Sequence, residues 1–260
     1  MHDILLAAHR GDRAHAPENT LPAYRAAIAL GVDMLEVDIH TSRDGVCFMM
    51  HDHTFDRTTN GTGSPYEKDW AEIRTLDAGS WFGPEFAGTP LPSLEETLQL
   101  AEDTPGLWIN WELKDYPQNC GLEKARYAVD QLVAGIFRHH LEDRSILNSF
   151  STEVLEYAYT VCPGKLQIHG QGVAPTDRMF GPVTRDIATY WDWACMYPIT
   201  KGNAPEKETY DVCKALGITP CVCIPDTEEN MRFAIENGCR MFTSNDPAEA
   251  IRILKKLGKR

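Results

Sequence analysis

The sequence predicts an α/β protein of the TIM-barrel class, a closed (β/α)8 barrel with a small insertion after the second strand. Short apolar runs alternate with longer segments of helical period, which is the pattern of repeated βα units around a parallel sheet. The chain has 260 residues, and roughly 250 residues is the usual size of this barrel. A doubly wound open sheet is the alternative, but no glycine-rich phosphate-binding sequence follows the first strand.

The predicted strands are short apolar runs bounded by turn residues. Several of them alternate apolar and polar residues, a pattern that places successive side chains on opposite faces of a strand. In chain order the strands are predicted at Ile4–Ala8, Met34–His40, Leu107–Lys114, Ser145–Ser149, Leu166–His169, Ala194–Tyr197, Thr219–Ile224 and Arg240–Thr243.

The predicted helices follow the strands and carry start and end signals. Ser93 opens one helix with a capping-box pattern completed by Glu96, and Gly31 and Gly217 follow the last helical residues of two others. The helices are predicted at Thr20–Leu30, Ser93–Glu102, Leu122–His140, Thr152–Val161, a poorly defined segment near Arg185, Pro205–Leu216, Thr227–Asn237 and Pro247–Leu257.

Residues 44–91 interrupt this alternation and are predicted to form the insertion above one end of the barrel. The segment is too long and irregular for an ordinary βα loop. Its Asp44-Gly45 pair predicts a hairpin turn, and a brief helix is predicted near Trp70–Leu76. We therefore expect one catalytic barrel domain over residues 1–260, with the insertion inside it.

Charge and composition exclude several classes of protein. A formal net charge of −13 argues against a nucleic-acid or anionic-membrane surface, which would need a basic stripe. No secretion signal or membrane-spanning segment is visible, so we expect no stable membrane insertion. The eight cysteines show no paired CxxC spacing and are interpreted as mostly buried thiols of a cytoplasmic protein. Cys221 and Cys223 are interpreted as core residues rather than metal ligands, because no second pair accompanies them.

Two predicted strands carry carboxylates on the face that points into the barrel. Successive side chains of a strand point to opposite faces, so Glu36 and Asp38 of "LEVDIH" lie on the face opposite its apolar residues. Glu112 of "INWELK" lies on the corresponding face of its own strand. Such residues often form only the solvated face of an edge strand, but an all-parallel barrel has no solvated face. Carboxylates about 4 Å apart would repel by roughly 4 kcal/mol per pair. We therefore expect a cation here, and oxygen ligands favour Mg²⁺ or Ca²⁺ over zinc.

Histidines and basic residues surround the predicted carboxylate cluster. His9 and Arg10 lie at the carboxyl end of the first strand, where barrel active sites are built, and His51 ends the predicted hairpin. Two imidazoles near a metal suit acid–base catalysis at neutral pH, while Arg10 and Lys114 offer cations for a phosphate. These residues together indicate phosphoryl chemistry. A transition-metal site at His51 and His53 is less favoured, because they are two residues apart beside a turn.

Five ordered blocks resemble the glycerophosphodiester phosphodiesterase family: "HRGDRAHAPENT", "GVDMLEVDIHTSRDG", "HDHTFDRTTNGTG", "LDAGSWFGPEFAGTPLPSLEETLQL" and "ELK". The resemblance is dense from His9 to Lys114, thins afterwards and returns as "TEENMRFAIENGCRMFTSNDP". It implies a TIM-barrel hydrolase that cleaves glycerophosphodiesters to glycerol 3-phosphate and an alcohol. The site residues that it implies are an acid–base pair, three ligands of one divalent cation and two phosphate-binding residues: His9 and His51; Glu36, Asp38 and Glu112; Arg10 and Lys114.

The chain departs from the family pattern near its predicted seventh strand. Family members often carry Trp-Thr-Val-Asn beside the pocket, and this chain has Cys223-Ile224-Pro225-Asp226. Because of this departure, the sequence does not determine which alcohol the enzyme releases. The second hypothesis is therefore a related diester substrate, such as a lysophospholipid or a teichoic-acid fragment. A non-catalytic barrel that binds phosphorylated ligands is the third, and it is disfavoured because both histidines and all three carboxylates are present. The sequence does not determine the oligomeric state.

Overall fold

Eight parallel strands form a closed barrel in the computed structural model, which describes residues 2–173, 179–197, 206–225 and 227–260. The first strand pairs with the second and with the last, which closes the sheet. A ninth strand, β3, pairs antiparallel with β2. The strands are β1 (Leu5–His9), β2 (Met34–Thr41), β3 (Cys47–Met49), β4 (Trp108–Leu113), β5 (Ser145–Asn148), β6 (Gln167–Gln171), β7 (Trp193–Met196), β8 (Thr219–Cys223) and β9 (Met241–Ser244).

Helices follow most of the barrel strands, as the sequence predicts. Ser93 and Glu96 form the predicted capping box, and left-handed Gly31 and Gly217 end their helices. The helices are α1 (Leu21–Leu30), α2 (Trp70–Ile73), α3 (Leu94–Glu102), α4 (Pro117–Cys120), α5 (Leu122–Arg138), α6 (Thr152–Val161), α7 (Lys207–Leu216), α8 (Glu228–Glu236) and α9 (Pro247–Lys256).

The predicted alternation of side chains along β2 is confirmed. Leu35, Val37 and Ile39 point outward and belong to the main apolar core shared with the surrounding helices. A smaller apolar cluster fills the interior of the barrel, where Met34 and Met241 are among the buried residues. Polar residues on the inward face of β2 therefore lie above a packed base rather than in an open channel.

The insertion after β2 begins with the predicted hairpin. Gly45 has φ of +92°, and its amide donates to the carbonyl of Ser42 at 3.1 Å, so the Asp44-Gly45 prediction is confirmed. Beyond the hairpin, the segment has an apolar core of its own, which holds the following buried residues: Phe48, Met50, Phe55, Ile73, Ala78 and Leu91. The predicted brief helix is present as the single turn α2.

The prediction of a helix near Arg185 is wrong. The chain there forms only a 3-10 turn, Ile187–Thr189. Glu156 of α6 accepts hydrogen bonds from the backbone amides of Thr184 and Arg185 at 2.9 and 3.0 Å. These bonds tie the segment to its neighbour instead of to itself, because a side-chain acceptor competes with the helical ladder. Pro205, the predicted start of α7, and Asp226 lie outside the described residues.

The eight cysteines are free thiols, and all except Cys120 are buried, as expected from their spacing. Within the described ranges, none of the helices is both long enough and apolar enough to cross a membrane.

Candidate active site

The three predicted cation ligands meet at the carboxyl end of neighbouring strands. Asp38 of β2 lies directly opposite Glu112 of β4 in the parallel register, and Glu36 lies two residues earlier on the same face. All three side chains are buried, and one oxygen of each lies within 4.8 Å of the others. Burial, and then the nearby Asp38 and Glu112, raise the pKa of Glu36 well above its ordinary value.

Arg10 and Lys114 partly balance this cluster of carboxylates. Arg10 Nε lies 3.1 Å from Asp38 Oδ2, and Lys114 Nζ lies 3.2 Å from Asp38 Oδ1. Lys114 also donates to Glu112. Burial acts to raise the pKa of Asp38, but Lys114 and Arg10 outweigh it and hold that pKa far below its usual range. Three carboxylates thus share two cationic side chains. Asp38 contacts both cations and Glu112 contacts Lys114, so the negative charge of Glu36 is the least balanced of the three.

His9, the last residue of β1, is held by an amide. Its Nδ1 lies 2.6 Å from Asn245 Oδ1, which can only accept, so Nδ1 carries the proton and Nε2 presents a lone pair. Nε2 lies 3.9 Å from Glu36 Oε2. Burial, reinforced by Arg10, lowers the pKa of His9 to about 3. The imidazole is therefore neutral at physiological pH and able to accept a proton.

His51 reaches the same cluster through the hairpin. The amide of Met50 donates to the carbonyl of Asp38 at 3.0 Å, which returns the chain to the carboxylate strand. His51 Nδ1 lies 2.6 Å from Asp52 Oδ1, and both His51 and His9 interact electrostatically with Asp38. The imidazole of His51 is one-third exposed, whereas that of His9 is almost fully buried. The two histidines thus differ in both partner and solvent access.

Sequence reasoning missed the residues that hold the site in place. Asn19 donates from Nδ2 to Asp38 Oδ2 at 2.7 Å and accepts from the Asp38 amide at 3.2 Å. Glu18 accepts from Arg10 and Arg57 at 2.7 Å each. Both residues stand in the "PENT" segment of the first family block, and that block was the only available signal for them. Asp52 and Asn245 likewise lie within family-like blocks, and nothing else in the sequence indicates a role for either.

His40 lies on the inward face of β2 but forms a network of its own. Its Nδ1 lies 2.9 Å from Asp115 Oδ1, and its Nε2 lies 3.3 Å from the carbonyl of His51. Tyr66 of the insertion donates to Asp115 as well. The network fastens the insertion to the barrel beside His51 and engages both ring nitrogens of His40.

Aromatic side chains line the approach to Lys114. Its Nζ lies 5.4 Å from the centroid of the Phe150 ring, and Phe150 packs against Phe180 and Tyr197 at 6.3 and 6.2 Å. Tyr116 packs against Phe180 at 5.4 Å. The cationic end of the site is thus bounded by apolar surface, which strengthens electrostatic interactions there by limiting the access of water.

Buried carboxylates, two cationic side chains and two unlike histidines at the carboxyl end of a closed parallel barrel suit chemistry on a phosphate ester. The class defined by this fold and site is a TIM-barrel hydrolase of phosphodiesters. The chain belongs to the glycerophosphoryl diester phosphodiesterase family, whose model matches residues 9–196, and its activity is the hydrolysis of glycerophosphodiesters.

Two curated relatives support this membership. The chain is 32% identical over 258 residues to the glycerophosphodiester phosphodiesterase of Caldanaerobacter subterraneus subsp. tengcongensis, covering 98% of this chain and 99% of the relative. It is 34% identical over 196 residues to the enzyme of the same name from Bacillus subtilis, covering 72% of this chain and 66% of the relative.

Solved structures share the fold. An Oleispira antarctica phosphodiesterase, solved in complex with the product sn-glycerol-3-phosphate, aligns with a TM-score of 0.82 at 24% identity, covering 96% of each chain. A glycerophosphodiester phosphodiesterase from Parabacteroides distasonis aligns with a TM-score of 0.76 at 21% identity, covering 99% of each chain. At these identities the likeness establishes the barrel architecture.

Proposed function

We propose that this enzyme hydrolyses glycerophosphodiesters to sn-glycerol 3-phosphate and an alcohol with the help of one divalent cation and the histidine pair His9 and His51. The observation that carries the proposal is the convergence of Glu36, Asp38 and Glu112 in one buried cluster flanked by both histidines. The family membership supplies the substrate class.

The carboxylates fit a hard divalent cation. Oε1 of Glu36 is buried and has no hydrogen-bond partner among the described residues, and an acceptor of that kind is costly unless a cation or a proton meets it. Glu36, Asp38 and Glu112 would be the ligands, and their oxygens suit Mg²⁺ or Ca²⁺. When bound, the cation supplies Lewis-acid stabilisation of phosphoryl oxygen charge.

The two histidines suit opposite proton transfers. His9 is neutral, and Asn245 leaves its Nε2 free to accept the proton of the hydroxyl group that attacks phosphorus as the new P–O bond forms. This hydroxyl group belongs either to water, which gives glycerol 3-phosphate directly, or to the glycerol of the substrate, which gives a cyclic phosphate that water then opens. His51, oriented by the carboxylate of Asp52, donates a proton to the leaving alcohol oxygen as the old P–O bond breaks. Each transfer contributes about 10²- to 10⁴-fold to such reactions.

Arg10 and Lys114 are proposed to bind the phosphate. In the described structure both are engaged with carboxylates. Because three carboxylates outnumber these two cations, a divalent ion changes the net charge of the cluster from negative to positive, which favours an anionic phosphodiester. This local reversal offsets the overall charge of −13. The reduced, mostly buried cysteines support the further proposal of a cytoplasmic location.

The test is a substrate panel assayed for the released choline or ethanolamine, which all of the diesters tested give on hydrolysis, with sn-glycerol 3-phosphate measured as the second product of the two glycerophosphodiesters. Purified enzyme is given glycerophosphocholine, glycerophosphoethanolamine and lysophosphatidylcholine after treatment with a chelator, and again after addition of Mg²⁺, Ca²⁺ or Mn²⁺. We expect turnover of the two water-soluble diesters, its loss with chelator and its return with Mg²⁺ or Ca²⁺. Full turnover in excess chelator would contradict the metal requirement, and preference for the lysolipid would contradict the substrate proposal.

A further inference from the structure

A second group of ligand atoms lies in the barrel interior, one layer below the catalytic carboxylates. His169 of β6, Cys195 of β7 and Cys221 of β8 are at most 2% exposed. His169 Nε2 and the two Sγ atoms all lie within 4.8 Å of one another, and the distance from Nε2 to Cys221 Sγ is 3.1 Å. Three strands thus direct one nitrogen and two sulfurs at a common point.

The strand register places a further thiol beside this group. Cys195 lies directly opposite Cys221 in the parallel pairing of β7 with β8. Cys223 follows two residues after Cys221, so it faces inward as well, and its thiol interacts with that of Cys195, although it lies outside the group of three whose atoms are within 4.8 Å of one another. Together the three strands provide one imidazole and three thiols.

The surroundings of His169 point to a ligand rather than to ordinary packing. Other residues in this part of the barrel are aliphatic, such as Leu5, Met34 and Ile146, and a buried imidazole among them needs partners. Asn110 Nδ2 lies 3.1 Å from His169 Nδ1, and Asn110 Oδ1 is buried without a hydrogen-bond partner among the described residues.

Rotation of the Asn110 side-chain amide by a half-turn exchanges its nitrogen and oxygen, which places Oδ1 next to Nδ1 of His169. Oδ1 then accepts from Nδ1–H, which leaves the lone pair of His169 Nε2 directed at the thiols. Orientation of a histidine by a neighbouring side-chain oxygen is the usual arrangement around protein-bound metals.

We propose that His169, Cys195, Cys221 and Cys223 bind one thiophilic divalent cation of the Zn²⁺ type, at a structural site separate from the carboxylate cluster. Zn–S and Zn–N bonds of about 2.3 and 2.0 Å place tetrahedral ligands roughly 3.5–4 Å apart. His169, Cys195 and Cys221 reach this spacing by small adjustments, and Cys223 completes the tetrahedron by a larger movement of its side chain. The two sites select different ions, because thiolates favour soft metals and carboxylates favour Mg²⁺ or Ca²⁺.

Four protein ligands leave no open position, so the site is structural rather than catalytic. Burial raises the pKa of Cys221, so its thiol is protonated in the metal-free protein, and the ion displaces the proton on binding. An ion that binds only the folded chain stabilises it. The site would tie β6, β7 and β8 together beneath the active site.

The test is a titration of the chelator-treated, thiol-reduced full-length protein with Co²⁺ and then with Zn²⁺. We expect about one equivalent of Co²⁺ to produce visible d–d bands and a near-ultraviolet thiolate charge-transfer band, both of which Zn²⁺ then removes. Excess Mg²⁺, which gives no such bands, is present throughout to occupy the carboxylate site, and Co²⁺ bound to oxygen ligands alone would give no thiolate charge-transfer band. Absence of the charge-transfer band in the folded wild-type protein at excess Co²⁺ would overturn the proposal.

Single cysteine-to-serine substitutions test which residues bind the ion. Cys195→Ser and Cys221→Ser are expected to lose or strongly weaken the charge-transfer band. The matched control is Cys162→Ser, which changes a buried thiol at the end of α6 and should keep the band. If either cluster variant fails to fold, X-ray absorption at the zinc edge of the loaded wild-type protein decides instead. Three sulfurs and one nitrogen are expected, and coordination by oxygen alone would contradict the site.

Discussion

At the scale of single residues, the two histidines of the site differ in the group that holds them. Asn245, a neutral amide, orients His9 deep in the barrel, whereas Asp52, a carboxylate, orients His51 near solvent. The burial that lowers the pKa of His9 to about 3 also makes it a neutral proton acceptor. On this basis we propose the base role for His9 and the acid role for His51.

The substitution Asp52→Asn tests this assignment. The amide keeps the shape but removes the negative charge that orients His51, so kcat is expected to fall by about 10- to 100-fold with a smaller change in KM. Steady-state kinetics with glycerophosphocholine measure both constants. The matched control is Asp69→Asn, which alters an exposed carboxylate of the same insertion, paired with Arg43. A variant with unchanged kcat would exclude Asp52 from the mechanism.

Alternation along a strand predicted Glu36, Asp38 and Glu112 because it depends only on neighbours in sequence. Asn245 could not be found in this way, since it meets His9 across 236 positions of the chain. Glu18 is similar: a single carboxylate in a loop has no periodicity, and only the fold shows that it joins Arg10, Arg13 and Arg57.

At the scale of elements, the loop between β1 and α1 aims Arg10 into the site. Arg10 and Asn19 both adopt the left-handed conformation, with φ of 60° and 54°, and Asn19 then holds Asp38. Left-handed backbone is uncommon for residues other than glycine and costs about 1–2 kcal/mol. The hydrogen bonds of Glu18 and Asn19 offset that cost and keep the loop in one geometry.

Gly11 follows Arg10 and is expected to tolerate no side chain. A Cβ there would lie 2.7 Å from the Ala23 carbonyl carbon, and φ is +83°. Gly31 is a matched control, because its φ is +80° but a Cβ would meet nothing within 4 Å. In urea unfolding, Gly31→Ala should cost about 1 kcal/mol and Gly11→Ala at least about 2 kcal/mol more. Equal costs would show that the close contact with α1 does not matter.

The substitution Glu18→Gln should remove part of the dependence of stability on pH. Burial acts to raise the pKa of Glu18, but Arg57, Arg10 and Arg13 outweigh it and lower that pKa from 4.5 to about 2. The folded state therefore binds the proton less well, so the carboxylate contributes stability above pH 4.5 that is lost as the pH falls towards 2. The contribution is roughly 3 kcal/mol at pH 7.

Denaturant unfolding of wild-type and Glu18→Gln protein across the acid range measures this contribution. The difference in free energy of unfolding should be greatest at neutral pH and shrink as the medium becomes acid. Glu67→Gln, which changes an exposed carboxylate of the insertion, is the control. A difference between the two proteins that stays constant with pH would contradict the charge-based explanation.

The elements also show where prediction from sequence fails. Strands and most helices were found because their apolar period reflects burial, and caps such as Ser93 mark their starts. The segment near Arg185 was misread because local propensity does not reveal that Glu156, distant in sequence, takes its backbone amides. Hydrogen bonds of this kind, from backbone amides to a side chain that is distant in sequence, are visible only in the folded chain.

At the scale of the whole molecule, barrel closure is what assembles the site. The pairing of β1 with both β2 and β9 places His9 between the carboxylate strand and Asn245. The sequence predicted the barrel from its length and its repeated units, and the insertion from its irregular composition. It did not predict the aromatic boundary near Lys114, because Phe150 and Tyr197 come from separate loops with no shared pattern.

Binding of a divalent ion should stabilise the whole fold. An ion that binds only the folded state adds about 2.7 kcal/mol at about 100 times its Kd, which raises Tm by several degrees in a chain of this size. Thermal unfolding of chelator-treated protein with and without Mg²⁺ or Ca²⁺ measures the shift. The shift should vanish in Glu112→Gln and persist in Glu102→Gln, which changes a carboxylate on α3. A shift of equal size in both variants would place the ion elsewhere.

The most direct test of the account is the turnover of glycerophosphocholine by His9→Ala and His51→Ala, each loaded with its divalent ion. The account predicts that kcat/KM falls by about 10²- to 10⁴-fold in each variant, while His15→Ala, an exposed histidine of the same loop as Arg10, retains wild-type turnover. Circular dichroism confirms that each variant is folded. Wild-type turnover in both the His9 and the His51 variants would contradict the central claim that these two histidines carry out the proton transfers.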